Sequence, residues 1–520
     1  MNSQNTYIYY RPQWTCGRFN EEAHAAICYN LIDGMAYFFE DYSANVMGVI
    51  LSLKRNDRIT IDNISEVTGI STDSLIPFAN ELCKIGLLSQ KELRADDICI
   101  YRKEKANRTL KNSPQHIGKK TGDDYPVELN DAELAYKEKV GGIVSAMFEL
   151  TYLCKEKCIH CYNIGATRNN NEISHRGNLQ QILLSDYRRI IDELYEEGVI
   201  KICLSGGDPF SNADIWQILD YLYEKNIAVD IFTNGLSIAG KEKRVAEYYP
   251  RLIGISLYSG VASDHDKVTR TKNSWQKTMS VVENLHSLSV PMVLKCCVMR
   301  LNAKTYYTVS SIGQKFVIPI QYELNVTDSV DGDKCVSRYL RLPPNILEII
   351  LRDPNTAMYV GKEIENYGGI DIDMDKNACI AGYSTFCITP NGDLIPCCAF
   401  HLVFGNLQKQ HLREILSESK TLQWWRNLKV RDYKECGRHS YCAYCNLCAG
   451  LNFSEHGTPV EAAENNCYMA KTRYELAQKM KANDFDPLNG TTLQECLKEL
   501  PDVLIEKVQR VYSPNINAGN

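Results

Sequence analysis

The sequence LTYLCKEKCIHCYN, residues 150–163, follows an apolar, strand-like run and carries Cys154, Cys158 and Cys161 at the spacing i, i+4 and i+7. Three thiolates at this spacing in a loop can bind three irons of a four-iron cluster and leave the fourth iron open. Zinc is the alternative, but it prefers paired CxxC knuckles with a closed set of four ligands, and this loop has no nearby fourth ligand. The spacing therefore favours an iron-sulfur cluster with one open position.

Strand-like runs and amphipathic helical stretches alternate around this loop, between about residues 143 and 325. The runs are SAMFELTYL, VIKICLSGG, AVDIFTNG, LIGISLYS, PMVLKCCVM and PIQYELNV. Because a helix separates successive runs, the strands are predicted to be parallel, with right-handed crossovers. The pattern predicts an α/β fold, a partial (β/α)6 TIM barrel, in which the chemistry lies at the carboxyl ends of the strands.

The open iron determines the chemistry that such a cluster can perform. It can take the amino and carboxylate groups of the methionine part of S-adenosylmethionine (SAM). An electron delivered through the cluster then enters the sulfonium and breaks a carbon–sulfur bond, which yields a 5′-deoxyadenosyl radical. The later strand ends carry residue types that SAM binding would need.

Residues 143–325 resemble the radical SAM superfamily. His160 occupies the ring-bearing position before the last cysteine, where family members pack against adenine. Gly206-Gly207-Asp208-Pro209, after the second strand, matches the family's GGEP motif, whose glycines expose backbone groups to the methionine amine. Asp208 replaces the more usual glutamate and has a shorter side chain.

The same resemblance implies further SAM contacts. Thr233-Asn234 after the third strand and Ser256 after the fourth lie where family members contact the ribose and the carboxylate, and Arg270 would hold the SAM carboxylate. The alternatives are an ordinary turn for the glycine pair and a serine that satisfies backbone groups. The order of these residues along the chain favours the SAM interpretation.

A second group of cysteines begins at residue 379. Cys379, twelve residues, Gly392, four residues and Cys397 resemble the opening of the SPASM extension, which is found on many peptide-modifying radical SAM enzymes. Asn391-Gly392 predicts a tight hairpin turn that brings Cys387 and Cys397 onto adjacent strands. Cys398 neighbours this set and has no role that the sequence can assign.

The later cysteines depart from the usual SPASM spacing, so their assignment follows the crossed chain order of the family. That order implies two auxiliary clusters, the first on Cys379, Cys387, Cys397 and Cys448 and the second on Cys436, Cys442, Cys445 and Cys467. Together with the SAM-binding cluster, three 4Fe-4S clusters are expected. The alternative is one zinc knuckle within residues 442–467, with the other thiols unliganded.

The first 100 residues predict a small α+β unit. The run AICYNLIDGMAYFFE has a hairpin turn at Asp33-Gly34, and a helix-turn-helix pattern follows, with its first helix near 61–68. This order resembles the winged-helix RiPP recognition element, a unit that binds the leader segment of peptides. A purely structural cap is the alternative. DNA binding is disfavoured because the second helix carries Asp73 and Glu81 against a single lysine.

Five segments follow from these patterns. They are a winged-helix leader-recognition domain (1–100), a linker (101–142), a radical SAM partial barrel (143–345), a bridging region with a cysteine-rich SPASM domain (346–475) and a C-terminal helical tail (476–520).

Composition narrows the possible partners and the compartment. A net charge of −6 gives no general attraction to nucleic acid or anionic membranes. The sequence shows no secretory signal and no apolar run near the ~20 residues that span a bilayer, so a cytoplasmic protein is expected. Because the cytosol is reducing, its 21 cysteines are more suited to metal binding or redox chemistry than to disulfides.

These units together predict a maturase of ribosomally synthesised peptides. The N-terminal domain would bind the leader of a precursor peptide as an added strand beside residues 7–10, and the radical would install a thioether crosslink. A low-potential donor such as flavodoxin or ferredoxin would supply electrons. The alternatives are a carbon–carbon crosslinking peptide cyclase, a formylglycine-forming sulfatase maturase and, outside enzymes, an iron-sulfur redox-sensing DNA regulator. The oligomeric state stays open.

Overall fold

A computed structural model describes residues 7–94, 97–98, 100–101, 129–163, 182–330, 335–353, 372–482 and 486–501. The predicted α/β class with a parallel-sheet core is confirmed. Within these residues the largest sheet has nine strands, and it unites the barrel with the cysteine-rich region.

The N-terminal unit is built from short strands and three helices. They are β1 (Ile8–Tyr10), β2 (Thr15–Asn20), β3 (Ala25–Asn30), β4 (Met35–Glu40), α1 (Asp41–Ser52), β5 (Arg58–Thr60), α2 (Ile61–Thr68) and α3 (Thr72–Lys84). The predicted hairpin joins β3 to β4, and β2 pairs with the other edge of β3. Strands β1 and β5 form a separate antiparallel pair. With three residues each, they are too short to show an alternating pattern.

Helix α2 occupies the predicted residues, and its ends have clear causes. The Oγ1 of Thr60 accepts a hydrogen bond from the backbone N–H of Asn63 at 3.1 Å. Gly69 ends the helix with a φ of 70°, a left-handed conformation that favours glycine. Ile64 packs against Leu82 of α3 in the core of this unit.

The barrel consists of six parallel strands, as predicted. They are β6 (Ser145–Glu149), β7 (Lys201–Ser205), β8 (Ala228–Thr233), β9 (Leu252–Ser256), β10 (Met292–Cys297) and β11 (Ile320–Glu323). Neighbouring strands pair in chain order, and each pair is parallel. The carboxyl ends of all six strands therefore lie at one end of the barrel, here called the open end, and their amino ends lie at the closed end.

Helices precede and separate these strands. They are α4 (Asp131–Val140), α5 (Leu184–Glu196), α6 (Ile215–Glu224), α7 (Glu242–Glu247), α8 (Ala262–Thr269), α9 (Ser274–Ser287), α10 (Val309–Phe316), α11 (Cys335–Leu340) and α12 (Pro344–Ile350). Apolar residues of several of them, including Leu194 of α5 and Leu219 of α6, pack in one core with apolar residues of the strands. The burial of this apolar area is the main force that holds helices on the sheet.

The sheet continues into the cysteine-rich region. Its elements are β12 (Thr385–Ile388), β13 (Asp393–Ile395), β14 (Gly405–Asn406), α13 (Leu412–Glu418), α14 (Lys420–Asn427), α15 (Ala449–His456), α16 (Glu464–Lys481) and α17 (Leu493–Lys498). Strand β12 pairs in parallel with β6, which places Cys387 opposite Met147. The predicted hairpin is present: β12 and β13 are antiparallel, and Gly392 turns with a φ of 85°.

Two predicted boundaries differ from the observed elements. Within the predicted linker 101–142, residues 131–140 form helix α4, whose first turn is closed by reciprocal bonds between Asn130 and Glu133. Residues 102–128 lie outside the described residues. The predicted tail 476–520 starts inside α16, which begins at residue 464, and residues 502–520 also lie outside the described residues.

The N-terminal unit packs against the closed end of the barrel. The Arg11 side chain donates to Asn226, just before β8, at 2.6 Å, and Arg55 donates to the Tyr223 carbonyl at 3.1 Å. Trp14 and Tyr29 share a buried core with Ile200 at the start of β7. The unit is therefore joined to the barrel by a common core. In the described part of the chain, no helix has the length and apolar character needed to cross a membrane.

Candidate functional site

The cysteine loop lies at the open end, directly after β6. The backbone N–H of Lys157 donates to the Thr269 carbonyl at 3.0 Å, and that of Ile159 donates to the Val268 carbonyl at 2.9 Å. These bonds fix the loop on the last turn of α8. The carbonyls at a helix end lack partners within the helix, so the loop supplies the donors that they need.

The thiols of the loop are largely withdrawn from water. The Cys154 sulfur accepts hydrogen bonds from the Asn234 side-chain amide at 3.1 Å and from the Glu156 backbone at 3.4 Å. Burial raises the pKa of Cys154 to about 12 and that of Cys161 to about 11. Thiols in such an environment ionise readily only when a metal supplies compensating positive charge. The loop therefore fits a cationic metal cluster.

The glycine turn after β7 lies against the cysteine loop. Gly207 donates to the Thr151 carbonyl at 2.6 Å, and a Cβ at Gly207 would lie 2.5 Å from the Leu153 carbonyl. Gly206 has a φ of 124°, which strongly favours glycine. The pair of glycines is therefore required for the close approach of the two segments, as well as for the backbone exposure that the motif implies.

Asp208 is fully buried beside this turn. Its Oδ1 accepts a hydrogen bond from the Thr233 hydroxyl at 2.8 Å, and the Ser237 side chain and the Phe210 backbone also approach the carboxylate, whereas its Oδ2 has no partner with good hydrogen-bond geometry among the described residues. Burial raises the pKa of this carboxyl group. A buried oxygen without a partner is costly, so this atom is suited to accept a hydrogen bond from a bound ligand.

His160 is a second buried group with an unpartnered atom. Its Nδ1 has no partner within the described residues, and burial lowers the pKa of the ring to about 4, which keeps it neutral. The ring makes an edge-to-face contact with Tyr258, with 4.7 Å between centroids. Ser256, at the end of β9, bonds the Tyr258 side chain. His160 and Ser256 are thus linked through one aromatic residue.

The cysteines of the C-terminal region fall into two spatial groups. Each group consists of thiols close enough to influence one another's pKa: Cys379, Cys387, Cys397, Cys398 and Cys448 in one, and Cys436, Cys442, Cys445 and Cys467 in the other. All members of the second group line a cavity of about 240 Å³. The second group has the members that the chain order implied, and the first contains Cys398 in addition to the implied four.

The spacing of these thiols bears on the zinc alternative. Within the described ranges, no three His, Cys, Asp or Glu side chains lie close enough together to hold a single metal ion. A zinc knuckle gathers four ligands at about 2.0 to 2.3 Å from one ion. A four-iron cluster instead spreads its ligands over separate irons.

Comparison with known proteins agrees with this geometry. Residues 148–305 match the sequence profile of the radical SAM superfamily, and residues 379–449 match that of the SPASM iron-sulfur cluster-binding domain. The chain thus combines a radical SAM domain with a SPASM domain, the domain arrangement of radical SAM/SPASM enzymes.

Similar proteins include two curated relatives and one solved structure. The radical SAM/SPASM enzyme is 24% identical over 336 residues to the antilisterial bacteriocin subtilosin biosynthesis protein AlbA of Bacillus subtilis, covering 63% of this chain and 71% of AlbA. It is 22% identical over 344 residues to the AdoMet-dependent heme synthase of Methanosarcina barkeri, covering 62% and 94% of the two chains. Its fold resembles Streptococcus suis SuiB bound to precursor peptide SuiA, with a TM-score of 0.53, 13% identity and coverage of 88% and 99%.

Among the predicted SAM contacts of this radical SAM/SPASM enzyme, Arg270 is placed differently from the others. It ends α8 in a left-handed conformation with a φ of 52°, and its side chain is exposed. His160, the glycine turn, Asp208 and Thr233-Asn234 converge on the cysteine loop, whereas the Arg270 side chain is exposed at the end of α8. The sequence pattern did not indicate this position, because it depends on where α8 ends relative to the cysteine loop.

Two buried carboxyl groups at the open end were not predicted from the sequence. Glu149, the last residue of β6, accepts hydrogen bonds from the hydroxyls of Tyr162 at 2.8 Å and Tyr152 at 3.5 Å, and burial raises its pKa to about 7. Glu156, inside the cysteine loop, accepts from the Cys158 thiol at 3.3 Å, and burial raises its pKa to about 8. A polar residue that ends an apolar strand run was the available signal for Glu149.

Proposed function

We propose that this enzyme cleaves SAM reductively and uses the 5′-deoxyadenosyl radical to crosslink a ribosomally synthesised precursor peptide, through a thioether from a Cys sulfur to carbon. The observation that carries the proposal is the convergence at the open end of three partly buried thiols with unpartnered buried atoms, His160 Nδ1 and Asp208 Oδ2. Together they form a metal-binding loop beside a polar ligand site.

In this proposal each residue of the open end has a defined role. Cys154, Cys158 and Cys161 hold the SAM-binding cluster, and the amide of Asn234 stabilises the Cys154 thiolate. The glycine turn and Asp208 bind the methionine amine of SAM. The neutral ring of His160 packs on the adenine. When bound, the cluster supplies the electron that splits SAM, and two auxiliary 4Fe-4S clusters supply acceptors for the surplus electron.

The auxiliary ligands follow the two thiol groups described above. Cys379, Cys387, Cys397 and Cys448 hold the first cluster, and Cys436, Cys442, Cys445 and Cys467 hold the second. The cavity of about 240 Å³ that the second group of thiols lines offers space for a cluster. A flavodoxin or ferredoxin is the expected electron donor, and a reducing cytoplasm is the expected compartment because these thiols must stay unoxidised.

The N-terminal unit is proposed to bind the leader of the precursor peptide. The edge at residues 7–10 is a poor acceptor for an added strand, because the Tyr10 N–H and C=O already bond to Ser89 at 2.8 and 3.0 Å. Strand β4 is a better acceptor, since it forms an outer edge of the sheet β2-β3-β4 in the described chain, and Met35 is 54% exposed. Added-strand binding would use the free backbone groups of β4.

Several observations support a peptide substrate over the other possibilities. The similarity to SuiB covers 88% of this chain. The barrel and the SPASM region, residues 143–475, make up a smaller share of the chain, so the similarity extends beyond them. AlbA is a biosynthesis protein of the bacteriocin subtilosin, a peptide product. The thioether is favoured over a carbon–carbon crosslink because iron-sulfur clusters can bind a substrate thiolate.

The test is anaerobic reconstitution followed by coexpression. We expect about twelve irons per chain, as three four-iron clusters require, and deoxyadenosine formation that is lost in a Cys154→Ala, Cys158→Ala, Cys161→Ala variant. Undiminished SAM cleavage by this variant would end the proposal. Coexpression with a short, cysteine-containing precursor peptide, sought among the neighbouring genes, should give a peptide that has lost two hydrogens and one alkylatable thiol. Loss of the hydrogens with the thiols retained would indicate a carbon–carbon crosslink instead.

Leader binding needs a different test, because removing residues 1–100 would expose the core that they share with the barrel. A Tyr37→Pro substitution in β4 should weaken binding of the precursor, since proline removes a backbone donor from the strand edge and disturbs its pairing. Binding is measured with a labelled precursor peptide, and SAM cleavage without peptide serves as the control for folding. Unchanged affinity together with normal SAM cleavage would place the leader elsewhere.

A further inference from the structure

Gln321, in the middle of β11, is an unusual buried residue. Its side chain is 3% exposed, and neither its Nε2 nor its Oε1 has a hydrogen-bond partner in the described part of the chain. A buried amide normally has partners for both atoms, because leaving them unpaired is destabilising. Such a residue is therefore expected to have a ligand as its partner.

The neighbours of Gln321 show which way its side chain points. Ile320 packs against Gly313 of α10, and the Tyr322 hydroxyl lies 2.8 Å from the Ser310 hydroxyl of the same helix. Both side chains thus face the outer helix layer. Because side chains alternate along a strand, Gln321 faces the interior of the barrel.

Inside the barrel, Gln321 belongs to a row of polar residues. It is in register with Lys295 of β10, which is in turn in register with Ser256 of β9. The Lys295 chain extends across Gly254 toward β8, where its Nζ lies 3.4 Å from the centre of the Phe232 ring. The Lys295 side chain therefore points away from β11. The amide of Gln321 faces the part of the barrel interior that Lys295 does not fill.

We propose that Gln321 binds a main-chain amide of the peptide substrate, with its Nε2 donating to the peptide carbonyl and its Oε1 accepting from the peptide N–H. An amide side chain offers one donor group and one acceptor, which is the complement of one peptide unit. The proposed SAM contacts come from β6 to β9 and their loops, so β10 and β11 remain for the second ligand. This inference rests on the proposed function and adds a substrate-positioning residue to it.

The experiment uses the full reconstituted enzyme and a Gln321→Met variant, which keeps the size of the side chain and removes both polar atoms. Gln314→Met, on the exposed side of α10, is the matched control. Without peptide, the Gln321 variant should melt at the wild-type temperature or higher, because no bond is lost, and should cleave SAM at the wild-type rate. With the precursor from the coexpression experiment, the peptide KM should rise about tenfold or more, and less modified peptide should form per deoxyadenosine.

The outcomes separate this inference from the proposed function. A lower melting temperature without peptide would show that Gln321 has a structural partner and would overturn the inference. An unchanged peptide KM and unchanged coupling would overturn it as well. If the wild type itself fails to cleave SAM, the proposed function fails, while the melting comparison still decides whether the amide has a partner within the protein.

Discussion

The two ends of the barrel differ in how their buried charged groups are paired. At the closed end, Lys201 of β7 forms an ion pair with Glu133 of α4 at 2.7 Å, and Arg251 pairs with Asp230 at 2.5 Å. The Tyr29 hydroxyl of the N-terminal unit also donates to Glu133 at 2.7 Å. In both pairs a buried charge meets an opposite charge from another element, whereas the buried Arg11 guanidinium has backbone carbonyls and Asn226 as its partners.

At the open end, buried groups are left incomplete. His160 Nδ1, Asp208 Oδ2 and Glu156 Oε1 lack partners among the described residues, and so do both amide atoms of Gln321. The difference shows where stability and function are located. The Lys201–Glu133 and Arg251–Asp230 pairs are formed within the fold, and Glu133 also joins the N-terminal unit to the barrel through Tyr29. Open-end groups are satisfied only when ligands bind, so they cost stability in the free enzyme.

The largest expected effect comes from breaking the closed-end ion pair. Lys201→Met leaves the Glu133 carboxylate buried without its cation, so the free energy of unfolding should fall by about 3–5 kcal/mol. Denaturant unfolding at neutral pH measures the change. Because Lys201 lies away from the cysteine loop, SAM cleavage per folded molecule should be unchanged.

A double variant tests the cause of that loss. Lys201→Met combined with Glu133→Gln removes both charges while the amide oxygen can still accept from the Tyr29 hydroxyl, so it should recover much of the lost stability. If the double variant is as unstable as the single one, packing and not charge explains the effect, and the contrast between the two ends is weakened.

The matching change at the open end is Asp208→Asn. The amide oxygen can still accept from Thr233, so stability should change by less than about 1 kcal/mol. SAM binding should weaken by about tenfold to a hundredfold, because the charge proposed to face the methionine amine is lost. Equilibrium binding of SAM and unfolding are measured on the same preparation. A large loss of stability with intact binding would assign Asp208 to the fold.

Much of this contrast lies in contacts that the sequence pattern could not reveal. The six barrel strands, the β3–β4 hairpin and helix α2 were predictable because each has a local signal, a buried apolar run, an Asp-Gly turn or a helix end at Gly69. The pairing of β12 with β6 and the Lys201–Glu133 bond join residues far apart in the chain. Helix α4 was assigned to a linker because it follows a basic run, residues 102–120, in which proline and glycine interrupt any periodicity.

A smaller effect is expected from the aromatic contact behind His160. Tyr258→Leu removes the ring that touches His160 and the hydroxyl that bonds Ser256, so the KM for SAM should rise about fivefold to tenfold, in line with the ~0.5–1.5 kcal/mol of an aromatic pair and one lost hydrogen bond. Tyr258→Phe keeps the ring and should have the smaller effect. Equal effects of both variants would assign the role to the hydroxyl alone.

The smallest expected effect is a pH dependence that belongs to His265. This fully buried ring stacks on Tyr258, and its Nδ1 accepts the Tyr258 backbone N–H at 3.2 Å, while burial lowers its pKa to about 4. In the unfolded chain the ring takes up a proton near pH 6.5, so the folded state loses stability as the pH falls from about 6.5 to about 4. The loss between pH 7.5 and 5.5 should be about 1 kcal/mol.

A His265→Asn variant keeps an acceptor near the Tyr258 N–H and removes the titrating ring. It should be less stable than the wild type at pH 7.5, because the stacking contact is lost, but the difference between the two should narrow by about 1 kcal/mol at pH 5.5. His286→Asn, on the exposed face of α9, is the control and should keep the wild-type dependence, because it leaves the buried ring in place. A difference in stability that stays constant between pH 7.5 and 5.5 would show that His265 takes up its proton equally in the folded and unfolded states. Water would then reach this part of the open end more readily than the burial of the ring indicates.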